Sequence, residues 1–432
     1  MFKFTRLKSY SSFFTVMIVY LILINVYIRS LGLMDDFNYT QLNFFNEGRS
    51  YFYFINSDIK SGGFRPFLPI QITLNNIGYY LFSVKGYFIF NLFFLFLILE
   101  LFYFTMKDFF NLNKFLYYFI FFSWPYASDL IIHPSLQEKI IILAICIFLI
   151  SIKNNRELTS RFSVLCIPLV KIQSLIFFPF VYFVIKKYKN KRNLIYYFLI
   201  SSFVVLFVFF NQPTSYFNSR QDFTSIIKQT FLSPVNSLNL MLIIITIYLS
   251  MKVHLKNNNI LLGLALSNSL LIIFMSAYRN VGNYLNSLNI FFIVIYVLII
   301  YDYLFKVFNS KKFQTFINLN HILIFVLVTV SFAIPRFERM NSIDSIMNHP
   351  TEDKSEIYYS CLEGVQYLNK FQKNNLFVHL ENFQAVEDKN FLFLSDPFEC
   401  NNVENIIIQK CDNNRVANFK YKNSMRIKEY QC

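Results

Sequence analysis

Apolar runs separated by short polar stretches organise the chain from its N-terminus to about residue 334. A helix needs about 20 apolar residues to cross a bilayer, and shorter pieces serve where neighbouring protein buries their ends. On that ruler the pattern predicts about eleven transmembrane helices. They are Ser11–Leu33, Tyr87–Met106, Phe115–Ile132, Lys139–Ile152, Phe162–Val170, Ile172–Ile185, Leu194–Phe210, Leu238–Met251, Ile260–Tyr278, Leu288–Phe305 and His321–Ile334. After Pro335 the apolar runs shorten and polar residues become common. "NNLFVHL", "NFLFLS" and "ENIIIQK" read as short strands. "KSEIYYSCLEGVQYLNKF" reads as a helix, with apolar positions three and four apart. The expected architecture is an all-α polytopic membrane domain over residues 1–334, with a small extracytoplasmic α/β domain over residues 335–432.

Composition agrees with the pattern. Hydrophobic residues make up 55% of the chain and charged residues 15%, whereas soluble globular domains carry about 25% charge. The formal net charge of +15 does not indicate nucleic acid, because Lys and Arg sit in short clusters between apolar runs rather than on one basic face. With the N-terminus in the cytoplasm, the clusters Lys107/Lys114, Lys153/Arg156/Arg161, Lys186–Arg192, Lys252/Lys256 and Lys306/Lys311/Lys312 all fall on the cytoplasmic side. The same alternation puts residues 34–86, the loop Asn211–Ser237 and the tail on the outer face. Lys3, Arg6 and Lys8 precede a run of span length that lacks a small-residue cleavage site, so the first run is expected to be retained. Cys146 and Cys166 lie inside apolar runs and are expected to behave as small buried hydrophobes. Cys361, Cys400, Cys411 and Cys432 lie in the tail, where an oxidising compartment would let them pair in a connectivity that spacing leaves open. The 56 Phe and 29 Tyr reflect coding bias as much as physical demand.

Ionisable groups close to a bilayer are costly, which makes the outer-face ones functional candidates. The first loop opens with "LGLMDDFNYTQLNFF", giving Asp35, Asp36 and Tyr39, and continues through Glu47, Arg49, Asp58, Lys60, Arg65 and Lys85. The third span ends in "SWPYASDLIIHPSLQEK", with Asp129, His133, Gln137 and Glu138. Lys171 falls between two short apolar segments in "IPLVKIQSLIFFPF", and Arg220, Asp222, Lys228 and Arg279 follow in later loops. Each has a plainer reading. The acidic pair could simply end a helix, although acids favour helix N-termini rather than C-termini. Arg65 could be a snorkelling anchor. Asp129 and His133 could share one helix face, which Pro134 limits. Lys171 is harder to explain away, since an outer-face cation opposes the topological bias. Glu100 inside the second span has the residue type of a bundle pair partner or of part of an inner pathway, and nothing in the sequence chooses between them. Arg279 with Asn280, at a span end, has the type of a diphosphate clamp.

Three stretches resemble the C-type (GT-C) polytopic glycosyltransferases, which take sugar from a polyprenyl-phosphate carrier on the outer face, and more narrowly the bacterial protein mannosyltransferases and aminoarabinose transferases. "DDFNY" resembles the family's Asp-Glu-x-x-Tyr, with Asp36 in place of Glu. "GGFRPFLPI" resembles its Arg-Pro-Pro-Leu element, with Phe67 in place of the second Pro. "LVKIQSLIFFPF" is similar to its hairpin of short helix, Lys, then helix with Pro. These matches span roughly the first half of the chain; the second half agrees only in layout. The resemblance implies inverting transfer in the bacterial inner membrane, with Asp35 as catalytic base and Asp36 as its support. It further implies Arg65, Lys171 and Arg279 on the donor phosphate, with Tyr39, Asp129 and His133 around the substrate. The chemistry suits the residues: a fixed carboxylate deprotonates an acceptor hydroxyl, and cations stabilise a departing phosphate.

The partners so implied are a polyprenyl-linked sugar donor, a glycan, glycolipid or protein acceptor, and the bilayer itself. The residues fix no cofactor; a divalent cation, Mg²⁺ or Mn²⁺, bridging Asp35, Asp36 and Asp129 to a diphosphate stays open. Five scattered His without His-x-x-x-His spacing disfavour zinc. A polymerase joining lipid-linked O-antigen or capsule repeat units needs similar outer-face chemistry. A flippase or other transporter commonly shows internal repeats and Gly- or Pro-broken helices; the sequence shows no such repeat, has only 9 Gly, and gathers its charges at one face. A non-catalytic scaffold has no feature in its favour.

Overall fold

The computed structural model describes residues 2–28, 65–134, 136–188, 191–211, 223–253, 258–277, 282–308 and 310–338, together with five strands of the tail. The first 26 described residues form α1 (Phe2–Tyr27). Next comes α2 (Leu68–Met106), which is two helices joined at a break: Phe82 and Ser83 leave helical geometry, and Ser83 takes φ 61° and ψ −155°. The chain folds back so tightly there that a β-carbon on Gly78 would strike the Gly86 carbonyl, and one on Gly86 the Gly78 carbonyl. Residues 68–81, expected as loop, are therefore helical, and only the second arm matches the expected span from Tyr87.

The expected span Phe115–Ile132 is interrupted. Helix α3 (Lys114–Phe122), capped by the Asn113 side chain, stops at Ser123. A 3-10 turn (Pro125–Ser128) and the short α4 (Asp129–Ile132) leave it at 85°. Pro125 lacks the N–H a continuing helix would use, so the break falls where the sequence forbids the next bond. Helix α5 (Glu138–Lys153) then descends and α6 (Glu157–Val170) returns. Lys171 is extended (φ −165°, ψ 145°), and a 3-10 helix (Ile172–Phe177) leads into α7 (Phe178–Lys187).

The remaining helices are α8 (Leu194–Phe210), α9 (Phe223–Leu232), α10 (Pro234–Val253), α11 (Asn258–Ala277), α12 (Gly282–Phe308) and α13 (Lys311–Val328). A π-helical turn (Thr329–Ala333) carries α13 onward to Arg336 and Phe337. Among the described residues, five helices are long and apolar enough to cross a membrane, or six if the bent pair around Pro125 counts as one span. Helices α5, α6, α7 and α8 have 16, 14, 10 and 17 residues, shorter than the ~20 a straight crossing needs.

Aromatic rings fill the interior. Phe96 stacks on Tyr118 and Phe122 at 5.8 and 5.5 Å, while Phe291 meets Phe102 and Phe121 edge-on at 5.4 and 5.1 Å. These contacts tie α2 and α3 to α12. Gly263 lets α11 approach α7 closely: a β-carbon there would lie 3.0 Å from Phe180 Cα and 3.1 Å from the Pro179 carbonyl, the kind of contact that small residues permit between membrane helices. Cys146 and Cys166 are buried free thiols.

In the tail, β1 (Glu356–Tyr359), β2 (Leu376–His379), β3 (Asn390–Ser395), β4 (Asp412–Val416) and β5 (Arg426–Gln431) form one sheet in the order β2-β1-β3-β5-β4. The first two pairings are parallel, and β5 runs antiparallel to both β3 and β4. Strands β2 and β3 lie where the apolar pattern put them. The expected helix over residues 354–371 instead opens with strand β1; its β-branched and aromatic run, Ile357 to Tyr359, suits a pleated pairing. The predicted strand "ENIIIQK" and the four tail cysteines lie outside the described residues.

Candidate polar site at one end of the helical bundle

The segment from Trp124 to Lys139 collects the polar side chains at the end of the bundle where α3 stops and α5 starts. Helices α5 and α6 run antiparallel, so Lys171, at the end of α6, returns to the level of Glu138, at the start of α5. Lys171 Nζ is 2.8 Å from Glu138 Oε1; the Lys171 side chain is 18% exposed and that of Glu138 fully buried. The extended backbone of Lys171 stops α6 so that the chain can change direction. Ser174 Oγ ties this corner together, donating at 2.6 Å to the carbonyls of both Ile167 and Lys171.

A second ion pair is built from residues far apart in sequence. Arg336 Nη1 lies 2.8 Å from Asp129 Oδ1. It also donates to the Pro125 carbonyl at 2.6 Å and to Ser128 Oγ at 3.0 Å, and its guanidinium lies 5.2 Å from the Tyr126 ring. The last described helix thus clamps the break between α3 and α4. Tyr20 of α1 packs on Phe337 at 6.2 Å and on Phe122 at 5.0 Å, which seats the clamp against the bundle.

A third element closes the corner. Gln71, in the first arm of α2, donates to the carbonyls of Pro134 and Leu136 at 2.7 and 3.0 Å. Asn91, in the second arm, donates to those of Leu130 and Ile131 at 2.8 and 2.9 Å. Fully buried Lys139 donates to Asn91 Oδ1. Asn91 thus satisfies carbonyls that the short α4 leaves open, and Gln71 holds Pro134 and Leu136 just beyond it.

The sequence-derived candidates sort accordingly. Lys171, Asp129 and His133 lie at this corner, His133 as the residue ending α4, with its N–H on the Asp129 carbonyl at 2.9 Å. Arg65 is half-buried in the turn that enters α2, six residues before Gln71. Asp35, Asp36, Tyr39 and Arg279 lie outside the described residues. Lys171 is ion-paired. Asp129, too, is neutralised. Arg336 went unnoticed in the sequence because it follows the last apolar run as an ordinary basic flank. Glu138 was only one acid among several there, although an acid within "QEKIIILAICIF", at the start of a long apolar run, was a usable signal. Among the described residues, no group of three or more His, Cys, Asp or Glu side chains comes together to hold a metal.

The opposite end of the bundle carries ordinary ion pairs. Lys153 meets Asp108 at 2.6 Å, and Lys306 meets Asp302 at 2.6 Å. Glu100 pairs with Lys114 at 2.9 Å and accepts from Tyr118, so its sequence reading as a bundle pair partner has a structural counterpart.

The fold is a helical membrane-protein bundle with a small sheet in the tail. No protein-family model matches the chain, and no curated protein matches it either. Among solved structures, it is similar to the crystal structure of ArnT from Cupriavidus metallidurans bound to undecaprenyl phosphate, at 10% identity and a TM-score of 0.45, over 84% of this chain and 87% of that one.

Proposed function

We propose that the chain is an integral-membrane inverting glycosyltransferase of the C-type class, moving a sugar from a polyprenyl-phosphate donor to a surface glycan, glycolipid or protein on the extracytoplasmic face. One observation carries the reading: Lys171 sits on a chain break between α6 and a 3-10 helix, paired with a fully buried carboxylate. That is the placement the third motif resemblance implies, and it occurs at the same corner as Asp129 and Arg336. An ammonium held by a buried acid is positioned before substrate arrives. It can then meet developing phosphate charge with little reorganisation.

In this reading Asp35 removes the proton from the acceptor hydroxyl, and Asp36 orients it or holds a divalent ion. The acceptor oxygen displaces the phosphate at the sugar carbon, and Lys171, Arg65 and Arg279 neutralise the departing oxygen. The N-terminus is cytoplasmic and the tail extracytoplasmic. Charge alternation along the loops supports that orientation.

The test is Asp35→Asn in the host cell, with expression confirmed and surface glycan followed by gel and mass spectrometry. Chains of full length, lighter by one sugar, are the expected result. Single repeat units would indicate a polymerase instead. Loss of lipid-linked intermediates from the outer leaflet would indicate a flippase. Unchanged glycan would remove the catalytic assignment.

A further inference from the structure

Three helices end in lysine at the end of the bundle opposite Lys171, and the fold draws those lysines onto one patch. Lys107 is the residue that ends α2, Lys153 lies in the last turn of α5 and Lys187 in the last turn of α7. Lys107 Nζ lies 4.4 Å and Lys153 Nζ 5.8 Å from the centre of the Phe104 ring. Lys187 Nζ lies 4.8 Å from the centre of the Phe109 ring. Between those two rings in sequence stands Asp108, whose Oδ2 is 2.6 Å from Lys153 Nζ. Tyr188, the residue after Lys187, feels the charges of both Lys153 and Asp108, so the end of α7 reaches the same patch. Lys107 makes no ion pair among the described residues.

Each lysine has a plainer role. A cation at a helix C-terminus complements the macrodipole, and basic residues flanking a span set its orientation. Neither role requires lysines from three separate segments to gather beside one carboxylate. Gathering them costs mutual repulsion, and Asp108 offsets only part of their charge, so the patch stays cationic. An anion would relieve it. Position narrows the choice of anion: Phe104 is 48% exposed and lies in the last turn of the apolar helix Asn76–Met106, so the patch begins where apolar surface ends. A soluble anion gains nothing from that exposed ring. A phospholipid covers it with acyl chain while its phosphodiester reaches the ammonium groups beyond. We propose that Lys107, Lys153 and Lys187 form a binding site for the headgroup of an anionic phospholipid in the leaflet at this end of the bundle, with its acyl chains against Phe104. The inference goes beyond the transferase reading and does not depend on it.

The full chain in neutral detergent is titrated with phosphatidylglycerol, phosphatidylcholine and glycerol 3-phosphate, and the molecules retained are counted by native mass spectrometry. Phosphatidylglycerol should bind about ten-fold tighter than phosphatidylcholine or better, because each lysine near an anionic headgroup contributes a factor of about five. The variant Lys107→Gln/Lys153→Gln/Lys187→Gln should lose that preference. Asp108→Asn removes the carboxylate that competes for Lys153 and should strengthen the preference about five-fold. Damage to the fold would not tighten binding, so that rise separates recognition from structural loss. Lys306→Gln/Lys311→Gln/Lys312→Gln removes as much charge from the side of the membrane where charge alternation also puts the patch, and should keep the preference.

If phosphatidylcholine binds as tightly as phosphatidylglycerol, the patch does not read charge and the inference falls. It falls also if the Lys107/Lys153/Lys187 variant keeps the preference. Equal loss in the Lys306/Lys311/Lys312 variant would mean that the charge of the whole face holds the lipid, and no site exists. Glycerol 3-phosphate bound as tightly as the lipid would make the occupant a soluble phosphate and overturn the membrane site. Should the triple variant not fold, Asp108→Asn decides: tighter phosphatidylglycerol binding supports the site, and unchanged or weaker binding overturns it. None of these outcomes bears on Asp35, whose own variant tests the transferase reading.

Discussion

Lys171 and Glu138 form a pair in which one member can reach solvent and the other cannot. Removing one partner of a buried ion pair costs more than the pair contributes, because the survivor keeps its desolvation cost without its attraction. Lys171→Met should therefore destabilise the chain by about 3 kcal/mol. The double variant Lys171→Met/Glu138→Leu should recover most of that loss, while activity stays abolished in both. Thermal unfolding in detergent, read beside a transfer assay, separates the two effects; a double variant no more stable than the single would mean that the pair does not govern stability there. Lys171 was legible in the sequence because a cation between two apolar segments on the outer face has few plain explanations. Its partner was not, since burial of Glu138 depends on which helices close over it. Ser83 offers a simpler case. Its φ of 61° and ψ of −155° fall in a region that glycine alone enters freely, at a strain of about 1–3 kcal/mol for other residues. Ser83→Gly should raise the unfolding temperature by relieving it, whereas Gly86→Val should abolish the folded state through its collision with the Gly78 carbonyl.

The decisive elements are the two that depart from a straight helix. The bent pair around Pro125 and the α13 extension through the π-helical turn meet at Arg336, whose guanidinium binds three partners in the first while sitting on the second. Arg336→Lys keeps the charge but loses the planar fork. It should hold Asp129 while releasing the Pro125 carbonyl or Ser128. Arg336→Ala should release all three. Hydrogen exchange over residues 123–133 is the direct measurement: the expected order of protection is wild type, then Lys, then Ala. Equal protection in all three would mean that Pro125 alone sets the bend. Hydropathy merged this bend into a single span because both sides of it are apolar, and only Pro125 marked the break. The pairing itself, across 208 residues to Ser128, has no periodic signature. Residues 68–81 were read as loop for the opposite reason. Their apolar positions, in "LPIQITLNNIGYYL", alternate with amides that became structural, Gln71 among them.

Across the molecule, charge alternation along the loops is the global argument for orientation, and it is testable without any substrate. A phosphatase reporter fused after Cys432, active only outside the cytoplasm, should be active. The same reporter placed after Lys153 should be silent. The reverse result would put the Lys171 corner on the cytoplasmic side and remove the outer-face donor from the proposal. The helical character of the chain was legible in its apolar runs, but among the described residues only five helices, or six with the bent pair, are long and apolar enough to cross a membrane, against about eleven expected spans. The tail was partly legible: β2 and β3 are apolar runs bounded by polar residues, but β4 (DNNRV) and β5 (RIKEYQ) carry few apolar positions, and the pairing of β5 with β3 and of β4 with β5 decides that they are strands.

The sheet order has a temporal consequence. Strand β5, from Arg426 to Gln431, lies between β3 and β4, and β4 has no other neighbour in the sheet. Until that stretch has left the ribosome, β3 presents an open edge and β4 has nothing to pair with, a state prone to wrong pairings. The sheet therefore cannot close before β5 is made. A stop codon only a few residues before Arg426 would spare every membrane helix and still leave a sheet that cannot be completed, exposed to proteolysis and quality control while the bundle above it is intact.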